Sequence, residues 1–550
     1  MSPFTAAPSA PSKFFQWRGA WWFMVAVLVL VAVVRLRLLN FPLERDEGEY
    51  AYSGQLMLQG IPPYQLAYNM KFPGTYAAYA LIMALFGQTP AGIHFGVLCM
   101  TTATALMLLW LGKTILDATA GIVAATCYAI LAASPLMLGL AGHATHFAAF
   151  FATAGLCVMW RARQNGNGIT ALTSGILFGI AVLMKQHAAL IGAWAGIAFV
   201  VNRLSKTEMS IGKRSLSVAA CGVGMILPFA VCCFILWRAG VFQKFWFWTI
   251  DYALQYALLV PMAYAPEIFA RSFYPIFANG FLLWLLAVAG LVLIWFDDRL
   301  KSSRLWLWGF CVASALSVCP DFDFRRHYFL LALPAVALSA GCAISGTREL
   351  WRRKNAASCP GNWPLWICAA IVTITILASS RIWFKLTPVQ CARAIYGPNP
   401  FPEAEVVAKY IRENSRPDAR VAVLGSEPEI YFLAHRHSAT GYIYTYGLME
   451  PQPFAPKMQD EMIGEIETNA PKFIIFANEG MSWMKRPDSD LKIFRWWNSY
   501  QTNYALIGLA DIISPTQTVY ALSAKSLARY GAARGSGLEI YQRKNVPDPL

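Results

Sequence analysis

Charge is scarce in this chain. Only 14% of its 550 residues are Asp, Glu, Lys or Arg, against 57% hydrophobic, a balance that excludes a soluble globular protein and indicates a multi-span membrane protein. Acidic residues are the scarcer sign, 30 against 45 Lys and Arg, for a net charge of +15. In a soluble protein that excess would suggest nucleic acid. Here the basic residues sit mainly in short loops between apolar runs, so topology explains them and no nucleic-acid partner is expected. The N-terminus has Lys13 and Arg18 before an apolar run but no small-residue cleavage site, and reads as a retained first span. A Gly-rich dinucleotide fingerprint is missing, and so is an internal repeat, which counts against a transporter built from inverted halves. Cysteine is present, but Cys99, Cys127, Cys157, Cys221, Cys232 and Cys233 lie inside apolar runs, as small core residues do.

Apolar runs of spanning length fall at 20–39, 90–112, 116–138, 144–160, 169–184, 187–202, 215–237, 275–296, 304–319, 327–346 and 364–383, which predicts eleven helices. Lys185, Gln186 and His187 interrupt the region 169–202, so two helices meeting at a tight turn are expected there. With a cytoplasmic N-terminus, Lys113, Arg161, Arg203, Arg299 and Arg352 fall inside, and the positive-inside rule is satisfied. Arg35 and Arg37 then end the first helix on the outer side, where they are expected to snorkel. The same alternation places every polar cluster of interest on the outer face. Phe242 to Ala270 is aromatic and amphipathic, a second interfacial element. Beyond residue 385 helical patterns (Pro402 to Asn414, Gln459 to Asn469) alternate with short apolar strands (Val421 to Leu424, Phe473 to Phe476, Tyr504 to Leu509, Thr518 to Leu522), predicting a soluble α/β domain over 386–550 after a membrane domain over 1–385.

The densest chemistry lies between Glu44 and Tyr79. Glu44, Asp46, Glu47 and Glu49 follow the first span at once, on a predicted short interfacial helix from Asp46 to Gln59 that Pro62-Pro63 ends. Acids at a helix start are also what the dipole alone favours. A carboxylate at a membrane edge can instead take or orient the proton of an acceptor hydroxyl. Asp46 and Glu47, successive on a helix, diverge by about 100°, so only one need face a given cavity. Lys71, in a Pro/Gly-bounded turn, has either a snorkelling role or a share, with Lys185, Arg325 and Arg326, in holding a phosphate at the membrane surface. Tyr68, His143, His146, His187 and His327 complete the expected cavity lining. His143 and His146 are spaced to share a helix face, which permits a metal, but with no carboxylate or Cys beside them a polar lining is the expectation.

These residues resemble those of the GT-C class of membrane glycosyltransferases, in particular the superfamily of dolichyl-phosphate-mannose protein mannosyltransferases and aminoarabinose transferases. The likeness rests on Asp46-Glu47 soon after the first span, on interfacial helices in that loop, on Lys71 ahead of the second span and on a soluble domain after the last. DEGEYAY at 46–52, YNMKFPGTY at 68–76, MKQ at 184–186 and RRHYFLLALP at 325–334 are similar to stretches of bacterial members, and so is GSEPEIYFLAHR at 425–436. The resemblance implies an inverting transferase that takes a sugar from a polyprenyl-phosphate donor at the extracytoplasmic face of a bacterial inner membrane. It implies Asp46 as the catalytic carboxylate and Lys71, helped by outer-face arginines, on the lipid phosphate. Related chains often begin the fourth helix with a carboxylate. His143-Ala144-Thr145-His146 has none, which leaves Glu47, Asp251 or Asp321 as substitutes for a second acid. No cofactor is expected, a divalent metal is not indicated, and the acceptor is left open among protein, glycolipid and polysaccharide. Two rivals remain at this point. One is a transporter or flippase for an amphipathic solute, which predicts ionisable residues at mid-membrane depth, and the other is a non-enzymatic envelope assembly protein.

Overall fold

A computed structural model describes residues 13–165, 167–206, 209–354, 362–530 and 535–544. Among these, six helices are long and apolar enough to cross a membrane: Gly19–Arg37, Pro90–Ile115, Gln186–Leu204, Ile211–Arg238, Arg326–Arg353 and Trp363–Lys385. The chain is a multi-pass membrane protein. The other expected runs are helical too: 144–160 lies within the 22-residue helix Ala144–Asn165, and the rest are shorter or bent. Ala118–Ala132, Gly168–Met184 and Arg304–Leu316 are short apolar helices. The run 275–296 bends by 100° between Met262–Asn279 and Phe281–Leu293. Hydropathy counts apolar residues without seeing where the axis turns, so it does not tell a straight span from a bent one. The tight turn at Lys185 is present, with that residue extended between Gly168–Met184 and a short turn at Gln186–Ala188.

Arg35 does not snorkel. It is buried and donates to the carbonyls of Ala132 (3.0 Å) and Gly139 (2.7 Å), while Arg37 donates to those of Trp383 (3.1 Å) and Leu386 (2.6 Å). Carbonyls freed where helices end near Ala132 and Trp383 are stronger partners than a lipid interface. The described cysteines are free thiols.

The C-terminal part holds a six-stranded mixed sheet in the order β2-β1-β3-β6-β4-β5, with β1 Arg420–Leu424, β2 His437–Ser438, β3 Phe473–Asn478, β4 Tyr504–Ser514, β5 Gln517–Ala521 and β6 Ser536–Arg543. β1 runs parallel to β2 and β3, while β6 pairs antiparallel with both β3 and β4. β6 was not among the expected strands although it lies centrally. Its SGLEIYQR mixes polar and apolar residues and has no turn signal of its own.

This sheet is seated on the membrane part. The loop leaving the carboxyl end of β1, the edge where open α/β sheets place their sites, meets the helix Arg45–Leu58. Arg45 is buried and donates to the Ser426 carbonyl (2.6 Å), Asn399 Oδ1 (2.9 Å), Glu427 Oε1 (2.9 Å) and the Tyr446 hydroxyl (3.0 Å). Glu427 is held in turn by the Ser482 hydroxyl at 2.7 Å. Gly48 allows the contact, since a Cβ there would lie 2.5 Å from the Glu429 amide nitrogen. The helix expected to lie along the membrane interface is therefore largely buried beneath the C-terminal sheet.

Candidate active site

Glu44 caps the helix Arg45–Leu58. Its carboxylate accepts from the Glu47 amide at 3.0 Å, and Glu47 reaches back to the Glu44 amide at 3.5 Å. This reciprocal box sets the acids on the first turn, at the positive end of the dipole.

Asp46 and Glu47 then diverge. Asp46 Oδ1 accepts from Lys71 Nζ (2.7 Å) and from the Tyr444 hydroxyl (3.0 Å). Its Oδ2 faces His143 Nδ1 (3.8 Å) and His327 Nε2 (3.9 Å). Those two imidazoles stack on each other, with centroids 4.2 Å apart and planes within 9°. Asp46 keeps 17% of its side chain exposed, whereas Glu47 has none. Glu47 Oε1 accepts from the Gly142 amide at 2.5 Å and contacts His94 Nε2 at 3.0 Å. His94 Nδ1 lies 2.8 Å from the Leu39 carbonyl, which can only accept, so that nitrogen carries a hydrogen and the Glu47–His94 contact shares one more proton. The catalytic role expected for Glu47 does not fit this burial. It anchors the segment that carries His143.

Lys71 bridges two carboxylates, Asp46 and Glu49 (2.6 Å), and Glu49 also accepts from Tyr76 at 2.5 Å. Its ammonium is therefore already neutralised. Lys185 is not: its Nζ sits 4.0 Å from the Tyr328 ring centroid and has no hydrogen bond or ion pair among the described residues. Gln186 and Thr75 tie its turn to the Lys71 loop, Gln186 donating to the Met70 carbonyl (3.0 Å) and Thr75 to that of Met184 (2.8 Å). Arg325 is paired with Asp323 at 2.5 Å. Arg326 is half-buried, with no side-chain partner among the described residues.

No known protein-family profile matches the chain, and no curated protein matches it in sequence. Solved structures do. The chain is similar to ArnT from Cupriavidus metallidurans bound to undecaprenyl phosphate, with TM-score 0.56 and 15% identity over 92% of this chain and 98% of that one. It is also similar to the oligosaccharyltransferase AglB from Archaeoglobus fulgidus in complex with an inhibitory peptide and a dolichol-phosphate, with TM-score 0.51 and 14% identity over 92% of this chain and 75% of that one. The chain has a GT-C fold.

Within this GT-C fold the other expected residues part company. His187 lies 3.9 Å from Asp321, a carboxylate that also accepts from Tyr328 at 2.8 Å, so it belongs to the Lys185 side. Tyr68 turns away from Asp46, donating to Glu465 at 3.0 Å and stacking on Trp248. His146 is buried with both ring nitrogens unpartnered, and it is His327, far along the chain, that stacks on His143. Asp251 is exposed.

Burial by itself would raise the Asp46 carboxyl. Lys71, with His143 and His327, more than reverses this and holds it well below the usual carboxylate range. Lys71 is held well above its ordinary value by Asp46 and Glu49 against the cost of burial. Burial, aided by the Asp46 charge, pushes Glu44 up to about 7, and burial brings Lys185 down to about 8. The cluster thus sets a firmly ionised carboxylate beside neighbours of shifted acidity. Asp46 Oδ2, His143 and His327 offer ligand atoms within 4.8 Å of one another, the one set among the described residues able to hold a metal ion. Neither ring nitrogen of the buried His143 has a hydrogen-bond partner among the described residues. One carboxylate and two imidazoles suit a divalent transition metal.

Tyr444 was not foreseen. Three tyrosines alternate in GYIYTYG at 441–447, but nothing in that pattern links them to an aspartate 398 positions earlier.

Proposed function

We propose that the chain is an inverting glycosyltransferase that moves a sugar from a polyprenyl-phosphate donor to an acceptor at the extracytoplasmic face of a bacterial inner membrane. The observation that carries this reading is Asp46: ionised, with Oδ1 saturated by Lys71 and Tyr444 and Oδ2 left to receive an acceptor hydroxyl. Solved neighbours with a lipid phosphate bound support the donor class. The polar cluster and the C-terminal sheet lie on the same side, which suits a cytoplasmic N-terminus, a membrane domain to residue 385 and an extracytoplasmic domain beyond it.

In this reading the acceptor oxygen attacks the anomeric carbon as its proton passes to Asp46 Oδ2. The bond from that carbon to the phosphate oxygen breaks, and polyprenyl phosphate leaves. Its charge falls to Lys185, the unpaired cation of the cluster, with Arg326 as second partner. Lys71 acts mainly on Asp46. A phosphate is a good leaving group, so no strong general acid is required.

The test is transfer from radiolabelled polyprenyl-phosphate sugars to a membrane extract, comparing wild type with Asp46→Asn at equal folded yield. A loss of about 10²–10⁴-fold with donor binding kept supports the assignment. Wild-type rates in the variant remove it.

A further inference from the structure

A cavity adjoins the Asp46 cluster, and none of the roles above uses it. The membrane part contributes Tyr256, Asp323 and Arg325, and the C-terminal part Tyr446, Glu450 and Arg486. Tyr446 ties it to the reacting centre: its ring packs edge-on against Tyr444, 5.0 Å between centroids, and the Tyr444 hydroxyl is the one on Asp46.

The groups open to this space are specific. Arg486 is half-buried, with no side-chain hydrogen bond or ion pair among the described residues, although five N–H donors are available to it. Arg325 places Nε on Asp323, and its two terminal nitrogens have no hydrogen-bond partner among the described residues. Glu450 is 7% exposed; one carboxylate oxygen accepts from Tyr252 at 2.6 Å and the other has no partner among the described residues. Asp321 and Asp323 complete the polar wall, and Asp323 also accepts from Tyr256 at 2.9 Å.

Three carboxylates beside two guanidiniums leave little net field. A phosphate would meet the acids and an amine would meet the arginines, so neither is favoured. A neutral ligand whose groups both donate and accept satisfies the uncommitted donors and acceptor together, as adjacent hydroxyls of a sugar ring do. Tyr256 and Tyr446 supply aromatic surface for its C–H faces. A peptide would need apolar pockets or a free strand edge, and the apolar lining here is confined to Leu259, Val260 and Met484.

We propose that this cavity binds the acceptor and that the acceptor presents a neutral saccharide there, so that the enzyme extends or decorates a glycan. The proposal rests on the transferase reading and makes the C-terminal domain half of the acceptor site.

Saturation-transfer NMR on the detergent-solubilised full chain tests it, with maltotetraose, chitotetraose and mannotetraose as probes, a serine-rich octapeptide as control and undecaprenyl phosphate as donor reporter. Binding of at least one tetrasaccharide is expected, weakened tenfold or more by Arg486→Ala and by Glu450→Gln, with undecaprenyl phosphate binding unchanged. Arg486 holds no other side chain in place, so its variant tests the cavity without taxing the fold. Absence of saccharide binding, binding indifferent to both variants, or Arg486-dependent binding of the peptide instead overturns the proposal. If saccharide binding depends on Arg486 while no polyprenyl-phosphate sugar is ever consumed, the cavity stands and the transferase reading falls.

Discussion

Lys71→Met separates two roles for one lysine. As a phosphate anchor, Lys71 would lower donor affinity equally at every pH when lost. As the partner of Asp46, it would change the pH at which the carboxylate works. At 2.7 Å from Asp46 Oδ1, its charge is the largest influence opposing burial and holds the carboxyl well below the usual carboxylate range. Removing it takes away the largest of the charges that oppose burial, so the Asp46 carboxyl rises. The acidic limb of kcat/KM, which lies low in the wild type, should then move to higher pH, with transfer recovering on its alkaline side. The stability signs agree. In the wild type the depressed Asp46 contributes stability above its unfolded pKa, and this is lost only as pH falls through the folded value. In the variant, Glu49 is buried without a cation and Asp46 keeps only His143 and His327, a penalty of about 3–5 kcal/mol when ionised. That penalty eases as they protonate, so the variant should lose less stability at pH 5 than at pH 8. The assay is a pH profile of kcat/KM beside thermal melts at both values. A uniform fall with the acidic limb unmoved would refute this account and return Lys71 to the phosphate.

Lys185 is protonated below about 8, so undecaprenyl-phosphate affinity in wild type should fall as pH rises through that value; Lys185→Gln should bind weakly throughout and lose the dependence, read by equilibrium binding. Tyr444→Phe removes a hydrogen bond to a charged oxygen, about 1.5–3 kcal/mol. Its kcat should fall by about tenfold or more with donor affinity unchanged, and unaltered kcat would exclude Tyr444 from the site. Gly48→Ala drives a methyl into the Glu429 backbone, an overpacking cost of about 1–3 kcal/mol. Limited proteolysis should then cut the C-terminal part sooner than in wild type, and equal cleavage rates would mean that the Gly48 contact does not hold it.

Local patterning determined a good deal about this protein. Scarce charge and long apolar runs imply a multi-pass membrane chain, and ERDEGEY after the first span marks both a helix start and the candidate carboxylate. The strands at Val421, Phe473, Tyr504 and Thr518 and the turn at Lys185 could also be read, because strand alternation and helix breaking are near-neighbour properties. Tertiary structure alone decided which charges meet. It gave Asp46 and Glu47, adjacent in sequence, opposite fates, paired His143 with His327 instead of His146, spent Lys71 on two acids and left Lys185 free. It also turned Arg35 inward, set β6 in the middle of the sheet and brought Tyr444 to Asp46 and Arg486 to the cavity from the far end of the chain. Hydropathy and periodicity report how each residue meets solvent or lipid. Ion pairs and cavities depend on distances between segments hundreds of residues apart, which only the folded chain defines.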